Sequence, residues 1–226
     1  MNYRRIVPNS ISALSLILGI VSICKTFEGD FFWAPVCIIL AMLADSLDGR
    51  AARLLNCPSP FGIQLDSLCD LGSFGVAPAI MIYQYGLTEW GLAGQIVAAL
   101  FTVGGAMRLA RFNVNSDVVH GYFQGMPIPA GATCLATYVL SGYHFSTEVV
   151  AVLTLVVAVI LYSNVKFPDC KGKGNPLSPL SPVAVGIGAG VGVYLLTQNF
   201  QGWAFAAMCA YTVAGIVNFV LELSGK

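Results

Sequence analysis

The chain has 226 residues, of which 57% are apolar and 10% are charged, and its formal net charge is zero. A soluble domain of this size carries about 25% charged residues, because its surface must stay hydrated. Together with a mean hydropathy of +0.77, these figures exclude intrinsic disorder, a coiled coil, collagen and a disulfide scaffold, and they argue against a nucleic-acid partner. The composition predicts an integral membrane protein.

Eight apolar segments have the length and continuity of membrane-spanning helices, which need about 20 residues each. They cover residues 9–25, 32–54, 61–85, 91–112, 127–143, 147–164, 180–197 and 202–222. The strands of a membrane barrel would alternate between polar and apolar residues, and these segments do not. The predicted fold is therefore an all-α, polytopic transmembrane bundle of about eight spans, forming one domain over residues 1–226.

Basic residues divide unequally between the two ends of the predicted spans. With the N-terminus inside, ten of the eleven fall on the cytoplasmic side, and Lys25 alone falls on the other. The ten are Arg4, Arg5, Arg50, Arg53, Arg108, Arg111, Lys166, Lys171, Lys173 and Lys226. The positive-inside rule then places both termini in the cytoplasm, in agreement with an even number of spans.

Glycine is concentrated in the seventh predicted span. Two overlapping G-x-x-x-G pairs are formed by Gly186, Gly188, Gly190 and Gly192. Small residues at this spacing let helix backbones approach closely, either within one subunit or at a dimer seam.

An acidic cluster stands out against this apolar background. Four of the eleven acidic residues lie within 26 residues, at the cytoplasmic ends of the second and third spans: Asp45, Asp48, Asp66 and Asp70. Each carboxylate costs roughly 2.5 to 3.5 kcal/mol at the centre of a membrane helix, and less near an interface, so the cluster needs a compensating cation. The spacings of three and four place each pair on one helix face. Converging carboxylates favour a hard divalent ion, Mg²⁺ or Mn²⁺, over zinc.

Small residues and an arginine are interleaved with the acids. Gly49 follows Asp48, Gly62 lies one turn before Asp66, and Arg53 lies in the last turn of the second span. Absent side chains let a large polar ligand approach the backbone, and an arginine offers a bidentate fork to phosphate. The alternative is a set of snorkelling charges at helix ends, which would explain one or two acids but not four.

The residues D-S-L-D-G-R-A-A-R at 45–53 and G-I-Q-L-D-S-L-C-D at 62–70 resemble the complete signature of the CDP-alcohol phosphotransferase family. Residues 64–79, 108–113, 123–129 and 163–168 resemble its phosphatidylserine synthase branch, so the resemblance covers residues 4–168. It implies a membrane enzyme that converts CDP-diacylglycerol and L-serine into phosphatidylserine and CMP. The first span departs from the branch pattern P-N-x-x-T-x-x-N, because serine stands at positions 12 and 15. The contribution of Ser15 is therefore open.

The resemblance also implies roles for single residues. It implies two divalent ions in a catalytic motif at 45–70, held by Asp45, Asp48, Asp66 and Asp70. It implies that Asp70 is also the base that takes the proton of the serine hydroxyl. The CDP group would be bordered by Gly49, Ala52, Arg53 and Gly62. Related enzymes tend to be dimeric, so a homodimer is expected. The expected location is a prokaryotic cytoplasmic membrane. The site would lie at the cytoplasmic face, with the acyl chains of the substrate among the membrane lipids.

Three basic residues are candidates for binding the serine carboxylate or a lipid phosphate. Arg108 and Arg111 are three residues apart on one helical face, and Lys166 is the third candidate. A purely topological role for all three is equally compatible with the sequence. Two other functions also stay open: the same chemistry with glycerol 3-phosphate or inositol phosphate as acceptor, and divalent-cation transport. A transporter would place carboxylates near mid-membrane on several helices.

Overall fold

A computed structural model describes residues 6–55, 59–115, 122–168, 180–198 and 202–224. Most of the described residues are helical. The α-helices are α1 (Ile6–Phe27), α2 (Trp33–Leu54), α3 (Pro60–Asp70), α4 (Ala77–Ile82), α5 (Leu92–Asn115), α6 (Ile128–Leu140), α7 (Thr147–Tyr162), α8 (Pro182–Gln198) and α9 (Trp203–Leu223). Two short strands, β1 (Tyr122–Gln124) and β2 (Lys166–Pro168), complete the described elements.

Within the described residues, four helical stretches are long and apolar enough to cross a membrane: Ile6–Phe27, Pro60–Trp90, Leu92–Val114 and Trp203–Leu223. The helices α6, α7 and α8 are apolar but shorter, and α2 carries charged residues in its last turns. The prediction of a helical membrane protein is confirmed at this level. Eight crossings and cytoplasmic termini stay predictions.

Helix α1 shows how the chain is adapted to lipid. Its buried positions hold small or polar residues: Pro8, Ser12, Ser15, Gly19, Ser22 and Thr26. Its exposed positions hold large apolar residues, including Leu14, Ile17 and Ile20. A helix on the surface of a water-soluble protein has the opposite arrangement. Small residues on the inner face allow close packing, so a Cβ added at Gly19 would lie 2.7 Å from the Cα of Ser73.

Local sequence fixes the ends of the helices that carry the acidic cluster. Gly29, with φ of 75°, turns the chain between α1 and α2, and the carboxylate of Asp30 accepts a hydrogen bond from the N–H of Trp33 at 3.0 Å. Ser59 caps α3, because its hydroxyl accepts from the N–H of Gly62 at 3.0 Å, and Pro60 occupies the first helical position. Helix α1 packs against both α2 and α3.

The helix that begins with α3 does not end at Asp70. It continues through a π-helical turn, Leu71–Val76, into α4, and through a second wide turn, Tyr83–Leu87, towards Trp90. In the first wide turn the carbonyl of Gly75 accepts a hydrogen bond from the hydroxyl of Thr102 on α5, at 3.1 Å. Asp70 is therefore held immediately before a local widening of the helix, a feature often found at functional sites.

The strands form an antiparallel ribbon that the sequence analysis did not predict. Phe123 of β1 pairs with Phe167 of β2. The side chain of Phe167 is fully buried, and its ring centroid lies 5.0 Å from that of Tyr211 on α9. Lys166 forms an ion pair with Glu222, also on α9, at 3.0 Å. The ribbon thus joins the segment before α6 to the C-terminal helix.

The glycines of α8 face two different environments. An added Cβ at Gly188 would lie 2.5 Å from the carbonyl oxygen of Ala210 on α9, and one at Gly192 would lie 3.2 Å from the Ala210 Cβ. Added Cβ atoms at Gly186 and Gly190 would meet nothing within 4 Å among the described residues. One G-x-x-x-G pair therefore packs within the subunit, and the other faces outward.

This difference predicts opposite outcomes for two matched substitutions. Gly188→Ala should lower the free energy of unfolding by about 1–3 kcal/mol, because the new methyl group overlaps α9. Gly190→Ala should leave stability unchanged or raise it slightly, because alanine is the better helix former. Thermal unfolding of both variants in detergent would measure this, and equal melting temperatures would contradict the packing described.

Candidate active site

The four carboxylates of the acidic cluster converge at one end of the bundle. Asp45 and Asp48 project from α2, and Asp66 and Asp70 from α3. Oxygen atoms of Asp45, Asp48 and Asp66 all lie within 4.8 Å of one another. The side chain of Asp70 is 9% exposed. Its carboxyl group interacts electrostatically with Asp45, Asp66 and Arg108. Helical periodicity predicted that each pair shares one face of its helix, and the packing of α2 and α3 brings the two faces together.

The acids border a cavity of about 380 Å³, which lies in the usual range for small-molecule sites. It is lined by residues of α2, α3, α5 and β1 and of the start of α6. They are Asp45, Ser46, Asp48, Gly49, Arg50, Asp66, Ser67, Asp70, Arg108, Leu109, Phe112, Phe123, Pro127 and Pro129. Helices α2 and α3 thus contribute the acids, and α5, β1 and the start of α6 contribute Arg108, aromatic rings and prolines.

The donor set fits a hard divalent cation. In the described part of the chain, two buried side-chain oxygens lack a hydrogen-bond partner: Ser22 Oγ and Asp70 Oδ1. A buried carboxylate oxygen without a partner is costly unless a cation satisfies it. The lining residues include four carboxylates, two arginines and neither histidine nor cysteine. Oxygen donors alone suit Mg²⁺ or Mn²⁺ and not zinc.

Helix α1 contributes a contact that the sequence analysis missed. The hydroxyl of Ser12 donates a hydrogen bond to Asp48 Oδ2 at 2.6 Å, and both residues are buried. Ser15 lies one turn further along and donates to the hydroxyl of Ser73 at 3.3 Å, so its contact is with the wide turn after α3. The sequence signals were the run of small polar residues at helical spacing in the first span and the branch pattern P-N-x-x-T-x-x-N, in which Ser12 and Ser15 stand at polar positions.

Arg108 and Arg111 occupy different environments although they share a helix face. Arg108 is 7% exposed and lines the cavity, with its guanidinium carbon 5.6 Å from the centroid of the Phe112 ring. Arg111 is absent from the cavity lining. Its guanidinium donates instead to three backbone carbonyls, those of Tyr162 at 2.7 Å and of Gln124 and Ser163 at 2.9 Å each. Arg111 therefore ties α5 to β1 and to the end of α7.

The remaining predicted site residues are distributed unevenly. Gly49 lines the cavity, and an added Cβ there would meet nothing within 4 Å among the described residues. Gly62 lies outside the lining and packs near Ser59 and Asn9, at 3.2 and 3.4 Å from an added Cβ. Lys166 also lies outside the lining, in its ion pair with Glu222.

Two further predictions concern Ala52 and Arg53, whose side chains lie outside the described part of the structure. Arg50, by contrast, lines the cavity, although the sequence analysis used it only to orient the spans. Its position, two residues after Asp48 and two before Ala52, gave no separate signal for a site role.

Comparison with known proteins agrees with this geometry. A family model described as CDP-alcohol phosphatidyltransferase matches residues 5–162. The chain belongs to the CDP-alcohol phosphatidyltransferase family. It is therefore a transferase of phospholipid biosynthesis, and all four aspartates of the cluster lie within the matched region.

Individual relatives are similar over most of this chain. A Helicobacter pylori protein named CDP-diacylglycerol--serine O-phosphatidyltransferase is 40% identical over 178 residues, which cover 76% of this chain and 75% of the relative. A Bacillus subtilis protein of the same name is 32% identical over 171 residues, or 76% of this chain and 93% of the relative. A Methanothermobacter thermautotrophicus protein named archaetidylserine synthase is 35% identical over 170 residues, or 74% and 72%.

Proposed function

We propose that this enzyme transfers the phosphatidyl group of CDP-diacylglycerol to L-serine, with phosphatidylserine and CMP as products. The observation that carries the proposal is the buried guanidinium of Arg108 beside four carboxylates in one cavity. The names of the relatives support serine as the acceptor, since each is named for a serine-containing lipid product or for transfer to serine.

The charge of the cavity favours serine over a phosphorylated acceptor. Serine presents one carboxylate, which a guanidinium can bind through two parallel hydrogen bonds. Glycerol 3-phosphate or inositol phosphate would bring a third phosphate to a site that already holds the diphosphate of CDP-diacylglycerol. Among the described residues, the basic ones in the lining are Arg50 and Arg108. We therefore assign the serine carboxylate to Arg108, and we leave Arg111 and Lys166 to the backbone and ion-pair contacts described above.

The proposed chemical step is a direct displacement at phosphorus. The hydroxyl oxygen of serine attacks the phosphorus that bears diacylglycerol, and the new O–P bond forms as the bond to CMP breaks. CMP leaves with the bonding electron pair, and the hydroxyl proton passes to the carboxylate of Asp70. Asp70 suits this role because it is the most deeply placed acid of α3, one turn beyond Asp66 and close to Arg108. The chain mainly aligns the reacting atoms.

A metal site completes the proposal. We assign two Mg²⁺ or Mn²⁺ ions to Asp45, Asp48 and Asp66, with Asp70 as a further ligand. When bound, such ions offset the charge of the phosphates and of the attacking and leaving oxygens. Gly49 leaves room on α2 for the CDP group, and the assignment of Ala52, Arg53 and Gly62 to its border rests on the resemblance of the motif.

The placement of the enzyme in the membrane follows from the same elements. We propose eight spans with both termini in the cytoplasm, in the cytoplasmic membrane of a prokaryote, and a homodimer as the working unit. The start of α1 lies beside the acidic cluster through Ser12, and Lys25 lies at the opposite end of that helix. The site would then face the cytoplasm while the acyl chains remain among the membrane lipids. Carboxylates gathered at one end of α2 and α3 do not form the path that cation transport needs.

The acceptor is tested by offering purified protein CDP-diacylglycerol, Mn²⁺ and one acceptor at a time, with release of CMP and the lipid product both measured. We expect CMP release with serine, and none above background with glycerol 3-phosphate, inositol phosphate or no acceptor. Product formation only with a phosphorylated acceptor would refute the serine assignment. An Asp48→Asn variant run in parallel serves as the inactive control.

The base is tested by Asp70→Asn. The amide cannot accept the hydroxyl proton, so turnover should fall by about 10²–10⁴-fold, whereas Mn²⁺ binding should be largely retained because three other carboxylates remain. Single-turnover CMP release and direct Mn²⁺ titration would measure the two quantities. A variant that keeps the wild-type rate would show that another group takes the proton.

The carboxylate site is tested by a matched pair of arginine variants. Arg108→Lys should raise the KM for serine by about tenfold or more, because the bidentate contact is lost. Arg111→Lys should act mainly on thermal stability, because it weakens three bonds to backbone carbonyls and leaves the cavity lining unchanged. If the effects on KM were reversed between the two variants, the assignment of serine to Arg108 would be wrong.

A further inference from the structure

Ser12 makes a short contact with the acidic cluster from a helix that carries none of the acids. Its hydroxyl lies 2.6 Å from Asp48 Oδ2, within the 2.5–2.7 Å typical of a hydroxyl bonded to an ionised carboxylate. The second acceptor within reach, the carbonyl of Pro8, is further away at 3.2 Å. The bond to Asp48 is thus the stronger of the two.

Burial strengthens the hydrogen bond between Ser12 and Asp48. Ser12 is 5% exposed and Asp48 is 6% exposed, so water competes little for either group. A hydrogen bond to a charged group in such surroundings restrains the orientation of the carboxylate. Outer contacts of this kind tune metal sites, and their loss typically reduces metal affinity or activity by 10–100-fold.

The position of Ser12 is itself fixed by close packing along α1. Gly19 lies against the backbone of Ser73, and the hydroxyl of Ser15 contacts that of the same Ser73. Both contacts anchor α1 to the wide turn that follows Asp70. Rotation or sliding of α1 is therefore opposed one and two turns beyond Ser12, and its hydroxyl is held beside Asp48.

We propose that Ser12 is a positioning residue of the divalent-metal site, which orients the Asp48 carboxylate for the cation. This inference rests on the proposed function, because it takes the acidic cluster as the metal site. Ser12 itself touches neither substrate nor metal in this proposal.

The same helix supplies a matched control. Ser22 is also fully buried on the inner face of α1, but its hydroxyl has no hydrogen-bond partner among the described residues. Ser22→Ala therefore removes a hydroxyl from a similar environment without affecting any carboxylate. A general effect of serine removal on helix packing would appear in both variants, and an effect on the metal site only in Ser12→Ala.

The experiment measures Mn²⁺ binding to the full chain in detergent, without substrates, from the loss of the electron paramagnetic resonance signal of free Mn²⁺. We expect Ser12→Ala to raise the Kd by about 10–100-fold. Ser12→Thr keeps the hydroxyl and should stay within about threefold of wild type, as should Ser22→Ala. Melting temperatures of the apo proteins are recorded alongside, and Asp48→Asn gives the response to direct loss of a ligand.

Each outcome separates this inference from the wider proposal. Equal Mn²⁺ affinities for Ser12→Ala and Ser22→Ala would overturn the role of Ser12, as would a folded Ser12→Thr protein that binds as weakly as Ser12→Ala. Wild-type protein that binds no Mn²⁺ would overturn the metal site and this inference with it. Wild-type protein that binds Mn²⁺ but does not use serine would overturn only the acceptor. If Ser12→Ala does not fold, Ser12→Cys keeps the volume, weakens the bond and carries the same expectation.

Discussion

Mutual repulsion among four carboxylates in an apolar bundle is the constraint on which the rest of the structure depends. Like charges at such short separations repel strongly where the surroundings are less polarisable than water. The described groups that oppose this repulsion are the guanidinium of Arg108 and the hydroxyl of Ser12. Both approach from helices that carry no acid of the cluster. The cluster is therefore stable only in the assembled bundle, and the packing of α1 and α5 is part of the site.

Packing and chemistry use the same residues on α1. Small side chains on its inner face allow the backbone to approach α2 and the wide turn after α3 closely. Two of these small side chains, Ser12 and Ser15, also carry hydroxyls that donate to Asp48 and Ser73 where the helices meet. In lipid, close contact and hydrogen bonding drive helix association, because lipid tails are as apolar as leucine. The small, hydroxyl-bearing side chains on the inner face of α1 thus promote helix association and also orient the carboxylate of Asp48.

The sequence predicted the acidic site better than its surroundings, and the reason is the range of the signals involved. Spacings of three and four within a helix determine which carboxylates share a face, and the short proline-containing connection between the two spans predicted that the two pairs meet. Arg108 and Arg111 share a face by the same rule and could not be separated. Their difference arises from the carbonyls of residues 124, 162 and 163, which approach Arg111 only in the folded chain. The hydrogen-bond partner of Ser12 likewise depends on how α1 is rotated against α2. The strands β1 and β2 were not predicted because three residues are too few to show a periodic pattern.

The ribbon of β1 and β2 changes what counts as the catalytic unit. The family match ends at residue 162, yet Phe123 in the cavity wall is paired with Phe167, which is buried against α9. The cavity wall is thus supported from beyond the matched region. An exchange of the C-terminal hairpin, formed by α8 and α9, between related enzymes would alter the shape of the cavity without changing any residue of the signature. Sequence divergence in that hairpin would therefore change the shape of the cavity from outside the site, while the residues that perform the reaction stay the same.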